Sequence, residues 1–387
     1  MSKELRKTVK SKTTQIVLAG VMLLLSFTLV HCQRAEEEPL MTPQIDEREQ
    51  TPTHEIDGEF VAFLSDYLVK LMDKSHFSGV VLFARGEEVY FYRAYGLASR
   101  DYDAANSTDT RFNLASASKM FTAVVITKLV EEGKLSYDDP IGKYLDTDWV
   151  SREVGDQVRV SHLLSHTTGL GHYWDEFDQY AHAIVDIDDY KPIINDTLAF
   201  EPGTDWQYSN SGYILLGAII EEITGKSYYE CVQEMVFDPA GMTSTGFFKL
   251  NEINHNLATG YFEDEEDGGK LKNNLQMHGI RGSSAGGGWS TGADLLRFFL
   301  ALRSDQLASH EMREILWSPK PSSPDYGYGF QVEDNWVGHW GGFPGIEAFA
   351  MYFPASDHTF IVMSNYYDSA LPLIDKMDSW YKKFDQE

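Results

Sequence analysis

At 387 residues, with 43% hydrophobic and 13% aromatic content, the chain can bury a sizeable core in one large two-lobed domain or two ordinary ones. A formal charge of -27 at pH 7 argues against nucleic acid as a ligand, because phosphate recognition needs Lys and Arg clustered on a surface. The 12 histidines form no His-Glu-x-x-His pair and the 2 cysteines no Cys-x-x-Cys, so neither a metal nor another cofactor is expected.

Lys3, Arg6, Lys7, Lys10 and Lys12 precede an uncharged apolar run over residues 16–30, the shape of an export signal occupying residues 1–31. Leu29-Val30-His31-Cys32 looks like a bacterial lipoprotein cleavage site at which Cys32 becomes the lipidated first residue. The alternatives are cleavage elsewhere or an uncleaved anchor, shorter than the roughly 20 residues of a full span. The expected location is the bacterial cell envelope, as a periplasmic or outer-membrane lipoprotein, or else outside the cell. Membrane contact is expected only through the leader or a lipid on Cys32. Residues 32–56 are acidic, proline-bearing and poor in apolar side chains, the composition of a flexible tether to a domain over 57–387. That domain is expected to be a monomer, with Cys231 a small core residue.

Phe60, Phe63, Leu64, Tyr67, Leu68 and Leu71 recur at helical spacing, and residues 79–84 and 89–95 read as strands joined through Gly86. Helices and loops dominate residues 116–303. Strand-like runs return at 328–332, 346–353 and 359–365, and residues 371–384 are amphipathic. The fold class is therefore α/β in the α+β sense: an antiparallel sheet of terminal strands flanked by helices, with an inserted mainly helical lobe and a cleft between them.

Ser116-Ala117-Ser118-Lys119 opens a run that is apolar nearly all round to Ile126 and ends at Glu131-Glu132-Gly133, which reads as a buried helix. Three residues apart, Ser116 and Lys119 share a face, so the amine can reach the hydroxyl. Burial among Met120, Phe121 and Val124 would push the lysine towards its neutral, basic form. Tyr208-Ser209-Asn210 and His339-Trp340-Gly341-Gly342 follow in order. In extended backbone Tyr208 and Asn210 point the same way, placing a phenol for proton relay and an amide for Lys119 and the substrate carbonyl in one cleft. Gly341 and Gly342 let a substrate approach a strand edge, where the N–H of Gly342 and that of Ser116 are the candidate oxyanion donors.

With these three boxes the chain resembles the serine β-lactamase-related, penicillin-binding-protein-like superfamily of class C β-lactamases, D,D-peptidases and family VIII esterases. Ser161-His162-Leu163-Leu164-Ser165-His166-Thr167-Thr168-Gly169-Leu170 and Ser211-Gly212-Tyr213 are similar to further segments of that family. The resemblance implies a β-lactamase/transpeptidase-like fold, no metal, an acyl-enzyme on Ser116, and a supporting, not basic, role for His166. Where true β-lactamases carry Lys-Thr-Gly to grip a carboxylate, this chain has His339 and Trp340, which removes most of the charge-assisted hold on an anionic β-lactam. Trp340 would suit an apolar acyl or alcohol group. An esterase or D-amino-acid peptidase acting on a small ester or peptide is therefore expected, with a weak β-lactamase or a non-catalytic module binding peptidoglycan or protein as alternatives. The loop around His172, Tyr173 and Trp174 is expected to shape the pocket.

Gly282-Ser283-Ser284-Ala285-Gly286 matches a nucleophile elbow but lacks the strand before and the helix after that the elbow requires, so it reads as a turn bordering the cleft. Ser379-Trp380-Tyr381-Lys382 repeats the Ser-x-x-Lys spacing in what reads as a surface helix. The acidic run over residues 263–269 reads as a hairpin tip.

Overall fold

The computed structural model describes residues 44–46, 48–72, 77–367 and 369–384. The expected leader, Cys32 and the first part of the expected tether lie outside the described residues. The chain enters through a short strand, Gln44–Ile45 (β1), and a helix, Glu55–Met72 (α1), before the hairpin Gly79–Arg85 (β2) and Glu88–Tyr95 (β3). In β2, Val80 and Leu82 enter one core while Val81 and Phe83 enter another, and all four are buried. Burial on both faces explains why this strand reads as a continuous apolar run without alternation.

The lobe follows, built around Lys119–Glu131 (α2), Asn210–Thr224 (α3) and Gly292–Arg303 (α4). The chain then returns to the sheet as Gln331–Val332 (β4), Val337–Phe343 (β5), Ile346–Phe353 (β6) and His358–Ser364 (β7), and closes with Leu371–Phe384 (α5). The 7-stranded sheet has the order β1-β3-β2-β7-β6-β5-β4, every neighbouring pair antiparallel. First and last segments thus pair at its centre, and the middle of the chain is an insertion, as the sequence predicts. Phe60, Leu64, Leu68, Leu373 and Ile374 of α1 and α5 cover one face. Met120, Val124, Leu215, Ile219 and Phe298 of the lobe helices belong to the core on the other. Each such large side chain contributes about 1.5–3 kcal/mol on burial.

Two expectations are corrected. The tether does not run to residue 56: β1 pairs with β3, the Gln50 N–H donates to Val89 O at 2.7 Å, and Glu49 pairs with Arg93 at 2.9 Å. Acidic side chains that look solvated in sequence are here used to dock a sheet edge against a basic partner. The strand expected at 328–332 shortens to β4, because Gly329 bends at φ +76° against the lobe. A Cβ there would stand 3.0 Å from the Lys119 carbonyl oxygen and 2.4 Å from Ala123 Cβ.

Behind the sheet, the fully buried Asp57 carboxylate takes a hydrogen bond from His358 Nε2 at 2.9 Å and faces Arg85 Nη1 at 3.3 Å. Burial raises this carboxyl, but the hydrogen bond from His358, with the hydrogen bond and charge of Arg85, outweighs it and holds the group below its ordinary value. A depressed folded pKa contributes stability above the unfolded value near 3.9 and loses it as the pH falls towards the folded value. Asp57→Asn should therefore destabilise the domain at pH 7 by on the order of 3 kcal/mol. The gap to wild type should close below about pH 4, as urea midpoints between pH 3 and 7 would measure.

Candidate active site

The segment before Ser116 is pinned to the glycine run that follows Ala285. Phe112 and Asn113 pair with Ser290 and Trp289, the Leu114 N–H donates to Gly288 O at 2.8 Å, and the Gly287 N–H donates to Ala115 O at 3.1 Å. Ala115 is held at φ +42°, a left-handed conformation uncommon for alanine, by its N–H donating to Asn113 Oδ1 at 2.8 Å. A 3₁₀ turn, Ala115–Ser118, then leads into α2. The buried helix therefore starts at Lys119 and not at Ser116. The tight turn still brings residues i and i+3 together, and Ser116 stays partly open to the cleft.

Lys119 is fully buried. Its Nζ lies 2.6 Å from Asn210 Oδ1, 2.5 Å from the Ala285 carbonyl oxygen and 3.4 Å from Ser116 Oγ, with the Tyr208 and Tyr213 rings 4.9 and 5.2 Å away. No ion pair involves it among the described residues, and desolvation pushes the amine well below its ordinary value. A neutral amine has two N–H donors and one lone pair. The two short contacts are to pure acceptors, so the lone pair is left for the Ser116 hydroxyl.

Ser209 is the N-cap of α3, its Oγ accepting the Gly212 N–H at 3.1 Å, and its extended backbone sets Tyr208 and Asn210 on either side of the cap. Asn210 thus begins the helix instead of continuing a strand. His166, itself left-handed at φ +60°, holds this segment. Its carbonyl accepts the Gln207 N–H at 2.9 Å, its Nδ1 accepts the Ser209 N–H at 3.1 Å, and its ring lies 4.2 Å from that of Tyr208. Burial depresses His166 well below the usual imidazole range, so it is neutral. The Tyr208 hydroxyl is buried without a partner in hydrogen-bonding geometry. Burial raises its pKa, and the nearby Ser116 hydroxyl offsets part of that rise.

On β5 the side chains divide. His339 is buried: its Nδ1–H donates to the Trp340 carbonyl at 2.5 Å, and Tyr326 donates its O–H to His339 Nε2 at 2.9 Å. Burial pushes its pKa down to about 3, so it is no cation. Both ring nitrogens are engaged, which corrects the expectation that His339 meets the substrate directly. Trp340 is corrected too. It packs against the core under α1 and α5, 6.2 Å from Phe349, on the sheet face away from Ser116. Gly341 faces the turn that carries Ser116, where a Cβ would stand 2.0 Å from Leu114 O and 2.9 Å from Ala117 N. The Trp340 N–H points away from β6 and donates to Gln331 Oε1 at 2.9 Å. By the two-residue period, the Gly342 N–H points to the same edge, beyond the end of β4, where a substrate carbonyl can reach it.

At the cleft rim Trp174 stacks on Phe343 at 5.8 Å, and His278 lies on Phe343 at 5.1 Å, its own pKa pushed down to about 4 by burial. The Gly282–Gly286 segment is a turn, closed by a Ser283–Gly286 bridge, and Ser284 is fully buried. Sequence reasoning missed what this turn supplies, the Ala285 carbonyl on Lys119, because a backbone acceptor carries no residue signature. It also missed Tyr326 and Gln331, which lie in a stretch without a motif. Among the described residues no cluster of three or more His, Cys, Asp or Glu could hold a metal ion.

A family model described as Beta-lactamase matches residues 64–376. The chain is 32% identical over 321 residues to penicillin-binding protein 4* of Bacillus subtilis (strain 168), covering 76% of this chain and 69% of that protein. It is 29% identical over 222 residues to esterase EstB of Burkholderia gladioli, covering 54% and 56%. The solved penicillin binding protein from Bacillus halodurans superposes with a TM-score of 0.73 at 31% identity, covering 81% of this chain and 98% of the other. The D-amino acid amidase from Ochrobactrum anthropi SV3 shares the fold, with a TM-score of 0.70 at 21% identity, covering 84% and 98%.

Gly341→Ala should push β5 away from the Leu114 carbonyl and displace Ser116. Misplacement by about 1 Å can lower turnover roughly 100-fold. Steady-state kinetics with thermal melts would check this, the expected pattern being a turnover loss much larger than the loss of stability.

Proposed function

Because the chain belongs to the β-lactamase family of serine hydrolases, we propose that it hydrolyses an ester or amide carbonyl through an acyl-enzyme on Ser116. The observation that carries this reading is the buried Lys119 amine, donating to Asn210 and Ala285 and turned to Ser116 Oγ. Ser116 Oγ attacks the carbonyl carbon while its proton passes to Lys119 Nζ. The N–H groups of Ser116 and Gly342 receive the oxyanion. Tyr208, beside both Ser116 and Lys119, carries the proton on to the leaving group, and water then cleaves the acyl-enzyme by the same route.

A neutral His339 supports an uncharged substrate over one with a free carboxylate next to the scissile bond, because His339 brings no charge to meet a carboxylate. The aromatic wall of Trp174 and Phe343 favours apolar acyl or alcohol groups. We therefore assign the activity nearer esterase than D,D-peptidase, and from the leader over residues 1–31 we propose that the protein acts in the cell envelope or outside the cell.

Short-chain p-nitrophenyl esters, D-alanyl peptides and β-lactams assayed side by side test the proposal. Esters should turn over fastest, and Ser116→Ala should lower kcat at least about 1,000-fold. Tyr208→Phe should lower it about 100-fold or more. Since Lys119 acts as the neutral amine, kcat/KM should fall as the pH drops through its lowered pKa. Full turnover by Ser116→Ala would sink the mechanism, and a preference for carboxylate-bearing D-alanyl peptides would sink the substrate assignment.

A further inference from the structure

At the far end of the sheet from Ser116, the turn joining β6 to β7 carries a chain of groups that the mechanism above does not use. Ser356 Oγ lies 2.9 Å from His358 Nδ1, and His358 Nε2 lies 2.9 Å from Asp57 Oδ1. A carboxylate accepts and does not donate, so the contact to Asp57 places an imidazole N–H on Nε2. Nδ1 therefore presents its lone pair to the Ser356 hydroxyl. This is the connectivity of a serine, its base and an orienting carboxylate, with the two ring nitrogens used in the opposite sense to the usual triad.

The groups are held in place. The His358 ring stacks on Phe83 at 5.1 Å and 22°, and Arg85 takes the second Asp57 oxygen. The turn is anchored by the Gly86 N–H donating to Asp357 O at 2.8 Å, by Tyr352 donating to Asp357 Oδ1 at 3.0 Å, and by the Arg303–Asp357 ion pair. Ser356 itself is half-buried and reachable. The 8 residues of β6 separate this turn from the Gly342 end of the sheet, roughly 25 Å at about 3.3 Å per residue.

We propose that Ser356 is a second acyl- or phosphonyl-accepting hydroxyl, activated by His358 and Asp57, which takes one equivalent from an activated ester or fluorophosphonate. Its Oγ bonds to the electrophilic carbon or phosphorus as the bond to the alkoxide or fluoride breaks. The hydroxyl proton passes to His358 Nδ1 and from there to the departing group or solvent. The Ser356 N–H is committed to Phe353 O at 3.3 Å, so it does not serve an oxyanion as the Ser116 N–H can. The site is therefore a stoichiometric acceptor and not a centre of turnover.

Intact-mass and peptide-mass analysis of the full-length chain after a fluorophosphonate tests this independently of the ester assays. Wild type should gain two adducts. Ser116→Ala should gain one, on the peptide bearing Ser356, and the double variant Ser116→Ala/Ser356→Ala none. His358→Gln in the Ser116→Ala background should slow the labelling at least tenfold; if that variant does not fold, the Ser356→Ala comparison still decides. An unlabelled Ser116→Ala protein, or a remaining adduct on another residue, would overturn the proposal.

Discussion

A lysine buried without a carboxylate sets the conditions for the rest of this molecule. An ammonium in such a place is costly, and the amine sheds its proton unless a counter-charge holds it. Around Lys119 the fold supplies dipoles instead of charges: the Asn210 amide oxygen and the Ala285 carbonyl oxygen. These come from the start of α3 and from the turn at Gly282–Gly286, so a helix cap and a tight turn must both be in register with α2 for the amine to face Ser116. The neutral His339 belongs to the same economy of charge. A permanently charged side chain in place of His339 would put a cation into this uncharged, buried surrounding.

Close backbone contact keeps these pieces in register. A Cβ at Gly217 would fall 2.4 Å from Ser284 Oγ, which is how tightly α3 lies on the turn presenting Ala285. Gly341 does the same where β5 meets the turn that carries Ser116, and Gly288 where the chain passes Ser118, each with less than about one van der Waals contact to spare. Thr122 of α2 donates to the Ser284 carbonyl at 2.7 Å, tying that turn to the helix that carries Lys119. The cleft is thus built by backbone surfaces meeting at glycines, with few side chains free to adjust.

Much of this was legible beforehand for a physical reason. Strands buried on both faces leave continuous apolar runs, as at Val80 to Phe83, and a helix buried all round leaves one without a polar face, as at Met120 to Ile126. The three boxes announce themselves because hydroxyl, amine, phenol and amide side chains carry identity. What escaped was carried by backbone or by facing. The Ala285 carbonyl has no signature. The outward face of Trp340 depends on strand register, which a short run rich in glycine does not reveal. The docking of Glu49 on Arg93 joins residues that look like solvated surface until the sheet edge is in place.

The charge state of Lys119 is the most direct test. Nitrogen-15 NMR of lysine-labelled protein, with the Nζ resonance assigned through Lys119→Arg, reports whether the side chain is amine or ammonium. A neutral amine at pH 7 is the result expected from burial against two uncharged acceptors. An ammonium that persists to its ordinary value of 10.5 would contradict it, and the base for Ser116 would then have to be sought elsewhere.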